Sequence, residues 1–138
     1  MSPAEPSATL VNLYYHDLEA AVRFWAEGLR FPVVLDQGWA KILRLGAGSY
    51  LGLVDGQRGY HRPQEKSAVL ITIVTDDLTG WWERAGQVGA QGLTPVQINC
   101  ELQIERFFCR DPGGYTLEFQ RFLNPQPRRV FHGTGGCA

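Results

Sequence analysis

A repeated pattern of a strand followed by a helix is the feature of this sequence that most restricts its fold. The segment LVNLYYHDLEAAV begins at Leu10, and LITIVTDDLTGWW begins at Leu70. Each reads as a strand, then an Asp (Asp17 or Asp77) placed to cap a helix, then apolar residues at helical spacing. Two copies of one supersecondary unit therefore account for most of the chain.

The two copies also end alike. RLGAGSYLGLV begins at Arg44 and RDPGGYTLEFQ begins at Arg110, and each places a glycine-containing turn before an alternating strand. Two more strands fit between the helix and the final strand of each copy, near FPVVLD and WAKILRL in the first and near LTPVQIN and QIERFFC in the second. The sequence therefore predicts an α+β fold made of two βαβββ modules.

These elements divide the chain into five segments. We expect the modules at residues 9–54 and 68–123, joined by a linker at residues 55–67 that is rich in Gly, Pro and charge. Residues 1–8 are an N-terminal extension. Residues 124–138 are expected to be a tail, which is either disordered or an arm that docks on a partner subunit.

Composition argues against several classes of protein. The formal net charge is -1, so there is no broad basic surface for nucleic acid, and no apolar run is long enough to cross a membrane. The cysteines Cys100, Cys109 and Cys137 form no CxxC pair, and MSPAEPSA lacks the basic and apolar parts of a signal peptide. We therefore expect a cytoplasmic protein with reduced thiols.

The helix sequence AAVRFWAEGLRF and the ending FFCRDPGGYTLEF resemble the vicinal oxygen chelate superfamily, also called the glyoxalase/bleomycin resistance protein/dioxygenase superfamily. The ending is similar to the family pattern F-x-x-D-P-x-G-x-x-x-E-F, and the resemblance covers about residues 9–122. It implies that curved mixed sheets from the two modules form an open cup, which holds the substrate or a divalent metal. It also implies a homodimer.

Metal-binding members of this family usually hold the ion with four side chains, at positions that correspond here to Leu10, Gly52, Leu70 and Glu118. Leu and Gly offer no donor atom, and one carboxylate cannot replace the roughly three protein ligands of a catalytic site. The histidines have no second donor at a ligand spacing and are expected to be exposed: His16, His61 and His132. His61 is of interest because linkers in this fold can cover the cup. We therefore expect no metal and no cofactor.

Strand parity predicts which side chains would line the cup. Tyr14, Tyr50 and Trp39 would supply aromatic walls, and Gly52 would open space. The remaining lining residues are polar: Asn12, Thr72, Thr116, Glu118 and Gln120. Mixed aromatic and polar walls are typical of ligand sites. Four aromatic residues are instead expected in the core: Trp81, Trp82, Phe107 and Phe108.

Glu118 is the best candidate for a catalytic residue. It could accept hydrogen bonds from a ligand, pair with a cation or act as a base, or it could simply pair with a basic side chain of its own chain, with Lys41, Arg44 and Arg106 as candidates. We predict a metal-independent protein that binds an antibiotic-like, aromatic or cationic small molecule. The alternatives are a glyoxalase-type lyase or dioxygenase with a non-standard or subunit-shared metal site, and a structural or regulatory module with a vestigial cup.

Overall fold

The computed structural model describes residues 3–132, and the chain divides into two compact units, Met1–Glu65 and Lys66–Ala138. The division falls inside the segment predicted as a linker. Among the described residues, no helix is both long enough and apolar enough to cross a membrane.

The first unit contains one four-stranded sheet, sheet 1, and one helical segment. Its elements in chain order are β1 (Thr9–Tyr15), α1 (Leu18–Val22), a π-helical segment (Arg23–Gly28), β2 (Val33–Asp36), β3 (Ala40–Gly46) and β4 (Ser49–Asp55). The strand order is β1-β4-β3-β2, with β1 parallel to β4 and the other pairs antiparallel.

The second unit repeats this arrangement around sheet 2 and adds a C-terminal helix. Its elements are β5 (Leu70–Val74), α2 (Leu78–Val88), β6 (Gln97–Asn99), β7 (Ile104–Arg110), β8 (Thr116–Phe122) and α3 (Pro125–Phe131). The strand order is β5-β8-β7-β6, with β5 parallel to β8 and the other pairs antiparallel. The predicted α+β fold with two βαβββ modules is confirmed.

Both predicted aspartate caps are present. Asp17 accepts a hydrogen bond from the Ala20 N–H at 3.1 Å, and Asp77 accepts one from the Gly80 N–H at 3.0 Å. Each cap satisfies a backbone donor that the first turn of a helix leaves free. The capped turn starts each helix directly after the first strand of its module, so the helix covers one face of the sheet.

The helix of the first unit is not a regular α-helix throughout. After Val22 it widens into a π-helix, in which the Leu29 N–H donates to the Phe24 carbonyl at 2.8 Å. The wider turn lets two consecutive aromatic side chains enter the core, since Phe24 is 6% exposed and Trp25 is fully buried. The Trp25 indole N–H donates to the Tyr15 hydroxyl at 3.1 Å, which ties the helix to β1.

Stacked aromatic rings form the core of the second unit. Phe119 is fully buried, with the Phe107 ring 4.8 Å and the Trp81 ring 5.5 Å from it between centroids. Trp82 was predicted to lie in the core as well, but this is wrong, because its side chain is 39% exposed and its indole N–H donates to the Thr94 carbonyl. Adjacent helix positions point about 100° apart, so one helix face cannot bury both tryptophans.

The Asp-Pro-Gly-Gly turn between β7 and β8 is fixed by its aspartate. One oxygen of the buried Asp111 accepts hydrogen bonds from the Gly113 and Tyr115 N–H groups, each at 2.9 Å. Gly114 has a φ of 83°, a conformation that glycine adopts without strain. The turn sets the register of β8, and therefore the direction in which Glu118 points.

The described part of the predicted tail is a helix that packs on its own chain. In α3, the Phe131 ring stacks on Phe122 at 4.9 Å, and Arg128 forms an ion pair with Asp76 at 2.9 Å. The His132 side chain is only 2% exposed and accepts a hydrogen bond from the Phe122 N–H, so the prediction that it is exposed is wrong. Residues 133–138 lie outside the described part of the chain.

Candidate ligand-binding faces of the two sheets

Each sheet has a helix-covered face and an opposite face, which we call its free face. In sheet 2, Leu117 and Phe119 are fully buried on the side of α2, as the stacking of Trp81 on Phe119 shows. Because side chains alternate along a strand, Glu118 points to the free face. The pairing register places Glu118 opposite Thr72 on β5 and Phe108 on β7.

Glu118 is held by two hydrogen bonds within its own sheet. The Thr72 hydroxyl donates to one carboxylate oxygen at 2.8 Å, and the Arg106 guanidinium donates to the other at 3.3 Å. The Glu118 side chain is only 7% exposed, while that of Arg106 is 30% exposed. Of the three basic partners considered from the sequence, the structure selects Arg106. The carboxylate charge is thus balanced inside the protein.

The rest of the free face of sheet 2 combines an aromatic ring with polar groups. The Arg106 guanidinium lies 5.1 Å from the centre of the Phe108 ring, a cation–π contact. Gln120 lies opposite Arg106 in the register, and Thr116 lies opposite Arg110, both half-buried. Phe108 was predicted to be core, but it shares the face of Glu118 rather than that of Phe107. Because side chains alternate along a strand, the buried position of Phe107 was the signal that could have placed Phe108 on the opposite face.

The free face of sheet 1 carries Asn12 and Gly52, which are paired in the register of β1 and β4. The Asn12 side chain lies over Gly52, so that a Cβ atom at Gly52 would overlap with the Asn12 amide oxygen. The expectation that Gly52 opens space is therefore wrong, because the amide of its neighbour fills that space. Tyr50 is half-buried and lies on the same face, two residues before Gly52 in β4.

The segment after β4 folds back over part of this free face. A Cβ atom at Gly59 would lie 2.6 Å from both the Tyr14 ring and Val54, and the His61 ring lies 5.5 Å from Tyr14 in an edge-on contact. Val54 is consequently only 4% exposed although it lies on the face away from the helix. His61 itself is exposed, and it is placed to contact anything bound beside Tyr14.

Trp39 does not share the face of Tyr14 and Tyr50. It lies in the turn directly before β3 with the parity of Lys41, which is paired with the core residue Leu53. Its indole lines a cleft beside α1 on the helix-covered side of sheet 1. The predicted place of Trp39 in the wall of the cup is therefore wrong, because the residue lies in the turn before β3 and the sequence did not fix the strand register there.

The residues at the four positions that hold a metal in related proteins cannot bind a metal ion in this protein. In the first unit, Leu10 and Gly52 have no donor atom, and in the second unit Leu70 has none. Glu118 has a carboxylate, but its charge is already paired with the Arg106 guanidinium, and one carboxylate is too few ligands for a catalytic metal. Within residues 3–132, no three His, Cys, Asp or Glu side chains are grouped so as to bind a metal ion.

Cys109 lies beneath this site, on the helix-covered side of β7, and is only 1% exposed. Burial, assisted by the nearby Asp111 carboxylate, raises the pKa of the Cys109 thiol from 9.0 to about 11. Only the thiolate is nucleophilic, so Cys109 is unreactive at neutral pH. Cys100 is exposed, and it is the described cysteine that we expect to react with alkylating reagents.

The raised pKa of Cys109 predicts a loss of stability in alkali. The unfolded chain releases this proton near pH 9 and the folded chain near pH 11, so the contribution is complete below pH 9 and disappears as the pH rises to 11. Between these values, the free energy of unfolding should fall with pH more steeply in the wild type than in Cys109→Ala, by up to about 1.4 kcal/mol per pH unit. Urea unfolding at a series of pH values measures the two slopes. The control Cys100→Ala should keep the wild-type slope, and equal slopes in Cys109→Ala and the wild type would contradict the assignment.

Comparison with known proteins agrees with this architecture. The family model described as the glyoxalase/bleomycin resistance protein/dioxygenase superfamily matches residues 8–119. A comparison with curated proteins found no match. The fold is similar to that of a glyoxalase/bleomycin resistance protein/dioxygenase from Nocardioides, at 19% identity and a TM-score of 0.71 over 90% of this chain and 88% of that one.

Two further solved structures share the fold. TioX from Micromonospora sp. ML1 is 21% identical, with a TM-score of 0.70 over 86% of this chain and 100% of that one. The fosfomycin resistance protein FosX from Listeria monocytogenes is 15% identical, with a TM-score of 0.66 over 87% of this chain and 96% of that one. Since the family model spans most of the chain, this protein belongs to the glyoxalase/bleomycin resistance protein/dioxygenase superfamily.

Proposed function

We propose that this protein binds a small molecule without the help of a metal ion, and that the free face of sheet 2 is the binding site. The observation that carries the proposal is the state of Glu118, the single family metal-ligand position that retains a donor. Its two oxygens accept hydrogen bonds from Thr72 and Arg106, and its charge is already paired with the Arg106 guanidinium. The side chains that remain accessible on the free face of sheet 2 are suited to organic ligands.

The residues of the free face of sheet 2 favour an aromatic ligand with polar substituents. In sheet 2, Phe108 offers a ring for stacking, while Gln120 and the exposed part of Arg106 offer hydrogen bonds. Because Arg106 balances the charge of Glu118, this face supports a neutral polar compound better than a simple cation.

Binding accounts for the geometry of Glu118 better than proton transfer does. A general base needs a lone pair that the substrate proton can reach, and the Glu118 side chain is only 7% exposed. The Thr72 hydroxyl and the Arg106 guanidinium are both donors, and each is directed at a different carboxylate oxygen. We therefore assign to Glu118 the role of fixing the positions of these two neighbours, which in turn shape the face.

The chemistry of the ligand class is suggested by proteins with the same fold. FosX is described as a fosfomycin resistance protein, and the family name includes bleomycin resistance. Both point to antibiotics. We propose that the ligand is an antibiotic-like aromatic compound that the protein sequesters.

A thermal-shift screen in the presence of EDTA tests this proposal. Bleomycin and a panel of aromatic antibiotics are the probes, and a true ligand at a hundredfold excess over its Kd should stabilise the fold by about 2.7 kcal/mol. The shift should be lost in Phe108→Ala, which removes the ring of this face, and kept in the control Tyr60→Ala, since Tyr60 is 90% exposed. Stabilisation that appears only after Zn²⁺, Mn²⁺ or Fe²⁺ is added would contradict metal-independent binding.

A further inference from the structure

The first unit contains a cleft that is separate from the free face of sheet 1. It has a volume of about 700 Å³ and lies between the helical segment and the start of β3. On the sheet side it is lined by Trp39 in the turn before β3, by Lys41 and by Asp55, which is paired with the buried Tyr15 in the register of β1 and β4. Parity places these side chains on the helix-covered side, so the cleft and the Tyr50 face are on opposite sides of one sheet.

The volume and walls of this cleft are those of a site for a small organic molecule. Sites for such ligands measure roughly 300–1,000 Å³ and combine apolar walls with a few polar groups. Leu18 and Val22 supply aliphatic surface on the helix, and Trp39 faces them from the strand. The Trp39 side chain is 40% exposed, and the Arg58 guanidinium lies 5.7 Å from its ring centre. A large indole kept accessible and held by a cation–π contact is suited to stacking with a flat ligand.

The helical wall carries charges that are not paired within the described structure. Glu19, Arg23 and Glu27 follow one another at four-residue spacing, and none of them forms an ion pair among residues 3–132. The π-helix begins at Arg23 and includes Glu27. Short π-helical segments are rare and occur frequently at functional sites, because the extra residue changes the direction of the side chains that follow.

The balance of charge around the cleft is negative. On the strand side, Lys41 is neutralised by Asp36 at 2.6 Å, while the Asp55 carboxylate accepts only from the Gln57 backbone N–H among the described contacts. The hydrogen bond from Lys41 holds the pKa of Asp36 below its usual value. The cleft therefore presents three carboxylates without an ion-pair partner among residues 3–132, those of Glu19, Glu27 and Asp55, against two guanidinium groups, that of Arg23 and that of Arg58 beside Trp39.

We propose that this cleft is a second binding site, for a compound with a flat apolar ring and a protonated amine. The ring stacks on Trp39 against Leu18 and Val22, and the ammonium group lies among the carboxylates of Glu19, Glu27 and Asp55. This site is independent of the ligand proposed for the free face of sheet 2, because all of its residues belong to the first unit.

Titration with tryptamine tests the proposal, with indole-3-propionate as the probe of opposite charge on the same ring. Binding is followed in a ¹H–¹⁵N spectrum through the Trp39 indole N–H, which is assigned with the variant Trp39→Phe. Tryptamine should shift the Trp39 indole and the Gly38 amide saturably, and indole-3-propionate should not. The double variant Glu19→Gln/Glu27→Gln should weaken tryptamine binding about tenfold or more, the effect of losing one charge-assisted hydrogen bond.

A matched substitution outside the cleft separates a specific site from a general charge effect. Glu83 is an exposed glutamate on α2 in the second unit, and Glu83→Gln should leave the Kd for tryptamine unchanged. The proposal is overturned if tryptamine causes no saturable shift at Trp39, if indole-3-propionate binds equally well, or if Glu83→Gln weakens binding as much as the double variant. None of these readouts involves the ligand of the free face of sheet 2, so this proposal and the proposed function fail independently.

Discussion

Replacement of Arg106 by methionine should destabilise the second unit by about 2 kcal/mol. The Glu118 side chain is 7% exposed, and without Arg106 its carboxylate stays buried with only the Thr72 hydroxyl to compensate it. Breaking a fully buried ion pair costs about 3–5 kcal/mol, and the 30% exposure of Arg106 reduces this figure. Urea unfolding of Arg106→Met and the wild type gives the difference directly.

Two controls distinguish the loss of charge compensation from the loss of packing. In Arg106→Met/Glu118→Gln the buried charge is absent, so most of the lost stability should return. Arg121→Met breaks the ion pair with Glu105 on the same two strands, but both side chains are partly exposed, and this variant should lose less than about 1 kcal/mol. Equal losses in Arg106→Met and Arg121→Met, or no recovery in the double variant, would show that Glu118 does not need Arg106.

Truncation of Phe119 should have the largest effect of any single substitution considered. This ring is fully buried between Phe107 and Trp81, so Phe119→Ala removes stacking on both sides and leaves a cavity. Substitutions of this kind cost about 3–5 kcal/mol. We expect urea unfolding to show a loss in this range, together with faster hydrogen exchange of the β8 amides.

Phe131 provides the matched control for this substitution. It also stacks on another ring, that of Phe122, but its side chain is 56% exposed and the helix that carries it packs on the end of β8. Phe131→Ala should therefore cost about 1 kcal/mol or less. If the two phenylalanines had similar effects, the stack around Phe119 would not be the main core of the second unit.

The parts of the fold that follow from local pattern could be predicted from the sequence. Strand alternation placed Glu118 on the face opposite Phe119, and the position of Asp17 and Asp77 before an apolar helical pattern predicted both caps. These features depend on residues close together in the chain, so that period and turn chemistry are enough to determine them.

The errors concern contacts that local pattern does not determine. The helix α3 was missed because its two prolines argue against a helix, whereas the pairing of Arg128 with Asp76 comes from a distant segment. Gly52 was expected to open space. Whether that space is open depends on the rotamer of Asn12 on the neighbouring strand β1. Trp39 was placed on the wrong face because the turn before β3 interrupts the alternation from which parity is counted.

The partner of Glu118 shows the limit most clearly. The sequence offered Lys41, Arg44 and Arg106 as equal candidates, because strand pairing was not known. The register places Arg106 opposite Gln120, diagonal to Glu118 on the same face, and Lys41 and Arg44 belong to sheet 1. The strand register is therefore needed to decide whether the Glu118 carboxylate is free to contact a ligand or is already paired.

The amount of metal bound by the purified protein tests the central claim most directly. The protein should be prepared without added metal or chelator, then soaked in Zn²⁺, Mn²⁺, Fe²⁺ or Ni²⁺ under reducing conditions, and its metal content measured by mass spectrometry. With Thr72 and Arg106 on the Glu118 carboxylate and no donor at Leu10, Gly52 or Leu70, the metal-to-protein ratio should stay near zero throughout. A tightly held ratio of about one metal ion per chain, as in a catalytic metal site, would contradict metal-independent function.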